Sequence, residues 1–217
     1  AYVKDEYGVD PVYEAQAGEK ETDFRSYLLK AKATNPDALV CSGLVDETVR
    51  CLVQSYEVGI PKSVARVANS VASKVEVPTN AGKAAVGVSY AAAFAASDTR
   101  PIAKKFVKHI KSRYGVVPGH DFSQMEDLLT MLKPALEKAE KRFSGDLASD
   151  RKAVRDSIAG ITNFTGLASG PISFCAAGTP ECRDGNRTPV MIEYTKGGKN
   201  WKTKVAGTVT FNASAGL

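Results

Sequence analysis

The 217-residue sequence predicts an α/β fold built on an open parallel sheet with flanking helices, and three features of residues 22–67 carry that prediction. Two apolar stripes at helical spacing alternate with two short apolar runs. The first three of these four elements are each closed by proline or glycine. The strand–helix–strand interval also suits a crossover between parallel neighbours.

The elements follow in order. Residues 1–8 read as the tail of a helix (Val3, Lys4, Tyr7) that stops at Gly8, Pro11 to Ala15 as a strand, and Gln16 to Glu21 as a polar loop. Thr22 is the expected N-cap of the next helix, with Asp23 well placed against the helix dipole. Phe24, Tyr27, Leu28 and Ala31 then mark one apolar face. Asn35-Pro36 ends it, because proline drives the preceding residue out of the α region. The unbroken run Ala38 to Cys41 predicts a strand covered on both faces. After Ser42-Gly43, Asp46 is expected to cap a second helix whose stripe is Val49, Leu52, Val53 and Tyr56, with Gly59 as its C-terminal stop. Val64 to Val67 is the expected parallel neighbour.

Ala68 to Ser73 reads as a polar loop, Ala85 to Tyr90 as a strand, and Ala91 to Asp98 as a small-residue connector or hinge. Three helices are expected next. The first is capped by Asp98 or Thr99, with Pro101 near its start, and runs to Tyr114-Gly115. The second opens at Asp121 or Ser123, presents Leu128, Leu129, Leu132, Leu136 and Ala139, and is kinked at Pro134. The third is capped by Ser149 or Asp150 and runs through Ala153, Val154 and Ile158. From Thr165 onward frequent glycines separate short runs, 172–174 and 190–194, expected as antiparallel strands or hairpins. The central helices have amphipathic faces but no strand of their own, so a sheet supplied from elsewhere is expected to cover them.

Composition narrows the function classes. Hydrophobic residues make up 43% and charged residues 24% of the chain, ordinary for a globular protein. No apolar run approaches the roughly 18 residues of a membrane span. Residues 1–6 carry charges where the apolar core of a signal peptide would lie, although a processed exported protein would lack that segment too. The net charge of +5 is spread out. Its densest run, Lys104, Lys105, Lys108, Lys111 and Arg113, lies opposite Phe106, Val107, Ile110 and Tyr114, the pattern of a solvated helix face rather than a nucleic-acid patch. Enzyme chemistry finds little support: the two histidines, His109 and His120, stand apart, and no HExxH, P-loop, GxSxG or GxGxxG motif occurs. No catalytic residue, metal site or cofactor is expected.

Of the four cysteines, Cys175 and Cys182 flank a turn-like segment and are the expected disulfide. Cys41 and Cys51 read as small buried apolar residues, with a second bridge as the alternative. The even count leans towards an oxidising compartment.

The chain resembles the periplasmic type I solute-binding proteins of ABC transporters, in particular the branched-chain amino acid (Leu/Ile/Val) group. The resemblance rests on Glu6-Tyr7-Gly8, Thr22-Asp23-Phe24, Asn35-Pro36-Asp37-Ala38 leading into Ser42-Gly43, Ala81-Gly82 before Val86-Gly87-Val88, Phe106 with Tyr114-Gly115, Ala153-Val154-Arg155, and Gly170-Pro171-Ile172-Ser173-Phe174. It implies two α/β lobes joined by hinge strands, with solute held in the cleft between them. It assigns residues 1–91 to the second lobe, 92–164 to a connector and first-lobe helices, and 165–217 to a return to the second lobe. The family's opening lobe and the first strand of its second lobe have no counterpart, so the chain as it stands is expected to bind solute weakly. A periplasmic location is implied. The implied partners are a small solute, an ABC permease and the first lobe.

Ligands of open α/β sheets sit beyond the carboxyl ends of the strands, which selects Ser42, Gly43 and Leu44 and then Ala68, Asn69 and Ser70. The resemblance points to the same two loops. The family often places an aromatic residue near Leu44 and an acidic residue in the second loop, to pair with an amino group. Here the first is leucine and no carboxylate occurs from Arg66 to Ser73. Arg66 is therefore a candidate partner for a carboxylate, and an organic or aromatic acid is an alternative to an amino acid. The same fold used as a ligand-sensing receptor domain is a further alternative. The ordinary readings are a surface arginine at a strand end, loop-forming Asn69 and Ser70, a capping Asp46, and core positions for Tyr90 and Phe94.

Overall fold

A computed structural model describes residues 4, 8–18, 21–168, 171–174 and 189–208. The elements are α1 (Arg25–Ala33), β1 (Ala38–Cys41), α2 (Val45–Glu57), β2 (Ala65–Ala68), a 3-10 turn (Ser70–Ser73), α3 (Glu76–Ala81), a second 3-10 turn (Gly82–Ala85), β3 (Val88–Ala92), α4 (Pro101–Tyr114), α5 (His120–Glu140), α6 (Leu147–Ala159), β4 (Val190–Lys196) and β5 (Lys202–Thr208). The strands form one sheet in the order β1-β2-β3-β4-β5. The chain divides into two compact units, Ala1–Tyr90 with Glu193–Lys202, and Ala91–Ile192 with Thr203–Leu217.

In the first unit the expected βαβ arrangement is present. Ala38 to Cys41 run parallel to Ala65 to Ala68, and Arg66 to Ala68 run parallel to Val88 to Tyr90. Phe24, Leu28, Ile60 and Val64 form the core, joined by Tyr27, Leu39, Cys51 and Val58. β1 departs from expectation. Leu39 faces that core, but Val40 on the other face is 66% exposed. β1 is the edge of the sheet, and the described helices cover only one of its sides.

Thr22 does not cap α1. The helix begins at Arg25, and the Phe24 N–H donates to Gln54 Oε1 at 2.6 Å while Gln54 Nε2 donates to the Thr22 carbonyl at 2.9 Å. The buried amide of a residue on α2 thus satisfies a helix terminus in a distant part of the chain. Asp46 likewise lies in the first turn of α2, behind an N-cap at Leu44 that makes no side-chain cap bond. Residues 11–15 form no strand, and the expected loop at 68–73 tightens into a 3-10 turn followed by α3. Pro78 and Asn80 gave α3 no helical signal, yet Val77, Pro78 and Ala81 are its buried residues.

In the second unit the connector after β3 is partly core. Phe94 packs edge-on to Phe106 with ring centroids 5.8 Å apart, beside Ala103, Ile110 and Leu167. Helix α4 follows Pro101 at its first turn and ends at Gly115 in the left-handed conformation, while Tyr114, expected in the apolar stripe, is exposed. Helix α5 contains Pro134 without being divided by it. Its leucine face is not the buried one: Leu128, Leu129 and Leu136 are exposed, and Ser123, Asp127, Met131, Ala135 and Ala139 face inward. Met131 packs with Ala168 and Ile172, so the returning segment selects that face. Helix α6 starts at Leu147, capped by Asp146 accepting from the Ser149 N–H at 2.8 Å, earlier than the expected Ser149 or Asp150. The run 172–174 pairs back on the segment after α6: Phe164 and Ile172 exchange backbone bonds of 2.9 and 2.8 Å in an antiparallel bridge. The polar strand β5 carries no periodic apolar signal and is largely exposed. No helix among the described residues is long and apolar enough to cross a membrane.

Candidate functional site

The last paired residues of β1 and β2 are Cys41 and Ala68. That register starts the segments Ser42–Leu44 and Asn69–Ser70 side by side at the carboxyl edge of the first unit. Asn69 Nδ2 donates to the Gly43 carbonyl at 2.9 Å, and Thr48 Oγ1 reaches the same oxygen at 3.4 Å. A side chain at Gly43 would place its Cβ 2.8 Å from that of Glu47, so only glycine lets the chain turn from strand into helix this tightly. Leu44 sits at the N-cap of α2, 72% exposed. Asn69 occupies the N-cap position of the 3-10 turn that Ser70 opens, without a side-chain cap bond, and Ser70 is exposed.

Two side-chain oxygens at this edge are buried and accept no hydrogen bond among the described residues: Asn69 Oδ1 and Glu47 Oε2. Sequence reading missed Glu47. Its signal was the four-residue step from Gly43, which lays the side chain of the first helical turn over the strand end.

Arg66 does not join this group. Its side chain is buried, and Nη2 donates to the Ile60 carbonyl at 2.9 Å and to that of Pro61 at 3.4 Å, at the amino end of β2. Burial pulls its pKa below the usual arginine value. The expected role of Arg66 as a carboxylate partner is therefore corrected: its guanidinium closes off the carbonyls of the loop entering β2.

For Cys41 and Cys51 the alternative reading holds. Cys41 and Cys51 are bridged, with Cα atoms 5.9 Å apart, joining the end of β1 to α2. Cys175 and Cys182 lie outside the described residues.

Behind the second segment stands an aromatic stack. Tyr194 on β4 lies 5.3 Å from Tyr90 and 6.1 Å from Trp201, ring centre to ring centre, and its hydroxyl donates to the Ala72 carbonyl. A residue far along the chain thus pins the turn that carries Ser70. Burial raises the Tyr90 phenol to about 12, partly offset by its contact with Tyr194, and burial followed by the neighbouring Tyr90 raises Tyr194 further. In the unfolded chain both ionise near pH 10. Between pH 10 and 12 the unfolded chain therefore binds fewer protons than the folded one, and stability falls as pH rises. The fall expected for Tyr90 is about 2–3 kcal/mol. Denaturant melts at pH 9 and pH 11.5 check this; equal midpoints in Tyr90→Phe and wild type at both pH values would refute it.

Two surface concavities lie away from this edge. One of about 570 Å3, lined by Lys32, Pro36, Ile60 and Val64, opens at the amino end of β1 and β2, and another of about 530 Å3 runs along Lys104, Lys108 and Lys111 of α4.

Residues 2–183 match the family model described as periplasmic binding protein. A comparison with curated proteins found no match. Among solved structures the chain is similar to a leucine-binding protein from Thermotoga maritima, with 24% identity, a TM-score of 0.71, and coverage of 89% of this chain and 50% of that one. It is similar to an amino acid ABC transporter substrate-binding protein from Pseudomonas fluorescens (18%, TM-score 0.73, 99% and 55%). It is also similar to an ABC transporter solute-binding protein from R. palustris solved with benzoate (18%, TM-score 0.67, 91% and 51%). The chain thus spans about half the length of these proteins, and the likeness is one of fold. With a parallel sheet edge carrying two joined loops, and a family model matched over residues 2–183, the chain belongs to the periplasmic binding protein family.

Proposed function

We propose that this chain is part of an extracytoplasmic solute-binding protein that delivers a small polar solute to an ABC transporter, and that Ser42, Gly43, Leu44, Asn69 and Ser70 form the wall that receives it. The observation that carries the reading is the Asn69–Gly43 hydrogen bond, which joins the two strand-end segments into one surface. Backbone groups of Ser42 and Gly43, the first-turn N–H groups of α2 and the side chains of Asn69 and Ser70 are the polar contacts; Leu44 supplies an apolar cover.

Two solute chemistries compete. A carboxylate, that of benzoate or of an amino acid, can rest on the N-terminus of α2, and Arg66, held by Ile60 and Pro61, adds no cation that would single out an acid. A solute with an ammonium group needs an acceptor, and Glu47 Oε2 lacks a donor beside Gly43. This favours an amino acid, its carboxylate on the helix terminus and its ammonium towards Glu47. Titrating the isotope-labelled chain with leucine and with benzoate tests both readings, because NMR detects weak binding. Leucine is expected to shift the amides of Gly43, Asn69 and Ser70, and Asn69→Ala to weaken the effect about tenfold, the worth of one hydrogen bond. Shifts confined to other residues, or none with either compound at saturation, would reject the site; a response to benzoate alone would reject the amino acid.

A further inference from the structure

The Cys41–Cys51 bridge closes a ring whose members include the whole first solute-facing segment, Ser42, Gly43 and Leu44, together with Glu47 and Thr48. The two ends of that ring differ in kind. Cys41 is 1% exposed and terminates a four-residue edge strand whose Val40 side is bare. Cys51 packs against Phe24, Leu28, Ile60 and Val64, the core of the first unit. Apart from the hydrogen bonds of α2 itself, the segment is held among the described residues by the Thr48 N–H to the Leu44 carbonyl at 2.9 Å and the two side-chain bonds to the Gly43 carbonyl. A short edge strand held on one side by a single neighbour frays readily. The segment that follows it inherits that freedom unless something ties it to the core.

We infer that the disulfide is the positioning element of the solute loop: it anchors the end of β1 to the core through α2, and its reduction releases residues 42–48 while the rest of the first unit stays folded. This rests on the reading of Ser42–Leu44 as a solute-facing segment. The bridge would then tie loop order, and with it solute capture, to an oxidising compartment. Reduction is balanced by a dithiol reductant, which is oxidised as Cys41 and Cys51 each take up one proton and one electron.

Amide hydrogen exchange on the chain, oxidised and after treatment with dithiothreitol, tests the inference without any solute, so a failure to bind leucine leaves the result standing. The expected outcome is exchange faster by about tenfold or more at Thr48 to Cys51, whose N–H groups donate to the carbonyls of Leu44 to Glu47, with unchanged rates at Arg66 to Ala68 and Val88 to Tyr90, and reversal on reoxidation. The Cys41→Ala/Cys51→Ala variant should match the reduced chain, separating loss of the bridge from any effect of the reductant. Unchanged exchange at Thr48 to Cys51 would overturn the inference, as would a rise of equal size across β2 and β3, which would make the bridge a staple of the whole unit.

Discussion

Replacing Asp127 with alanine is expected to destabilise the second unit by about 3 kcal/mol, because it orphans two buried backbone donors that nothing else can reach. Asp127 lies in the middle of α5, 3% exposed. Its two carboxylate oxygens accept the N–H groups of Leu167 and Ala168, each at 2.7 Å. That segment is irregular and buried, a combination that normally leaves backbone groups unpaired. Here the pairing is divided between two side chains. Asp127 takes the N–H groups, and the Arg100 guanidinium donates to the Leu167 carbonyl at 2.6 Å and, more weakly, to those of Gly166 and Ala168 at 3.3 and 3.4 Å. Asp98 holds Arg100 in place at 2.7 Å. Gly166 is part of the fit, since a Cβ there would lie 2.1 Å from Asp127 Oδ1. Asp127→Asn keeps one acceptor but turns an amide donor towards a donor, so it should recover little. Arg100→Met should cost less than Asp127→Ala, because water reaches part of that site. Calorimetric melting should show a drop of roughly 6–12 °C for Asp127→Ala. A change under 1 °C would mean that the carboxylate does not hold the segment.

The same residue shows where sequence reading stops. A carboxylate in a helix rich in leucine reads as solvent-facing, and Leu128, Leu129, Leu132 and Leu136 read as the buried face. Which face turns inward was decided by the unmet N–H groups of residues 167 and 168, far along the chain. The βαβ unit was legible because its signals are local: apolar spacing from Phe24 to Ala31, the stop at Asn35-Pro36, and glycine after α2. Caps were legible only in part. Thr22 is the better capping residue by chemistry, yet Gln54 was available from the neighbouring helix. At the candidate site, strand ends and parallel pairing placed Ser42–Leu44 beside Asn69–Ser70, and the structure brings Gly43 and Asn69 into contact. Arg66 was not legible, because its long side chain runs back along the strand to the carbonyls of Ile60 and Pro61. The Cys41–Cys51 bridge depended on how close α2 packs to the end of β1, and a ten-residue spacing does not reveal that.

Gly197→Ala should be the most damaging single methyl in the first unit. A Cβ at Gly197 would lie 1.8 Å from the Gly82 carbonyl oxygen and 2.7 Å from its carbon. Both are backbone atoms, so no rotamer change relieves the clash; one of two main chains must move. Neither is free to do so, because the Gly198 N–H donates to the Pro78 carbonyl at 2.8 Å and the Gly87 N–H donates to the Tyr194 carbonyl at 2.8 Å. Overpacking a rigid contact costs about 1–3 kcal/mol, and this one stands at the upper end or beyond. The neighbouring Gly198 gives the control. Its φ is +80° but nothing lies within 4 Å of its Cβ position, so Gly198→Ala carries only the left-handed penalty of about 1–2 kcal/mol. If close approach of the two backbones governs this corner, Gly197→Ala must be the worse of the two. The displacement should also be visible directly: Trp201, the one tryptophan of the chain, stacks edge-on against Tyr194, and its emission should change with Gly197→Ala and stay near wild type with Gly198→Ala. Because Tyr194 pins the Ala72 carbonyl, the same shift should loosen the turn that carries Ser70. The reverse ranking of the two alanine variants, by melting and by emission, would show that backbone conformation rather than contact controls the junction of β4 with α3.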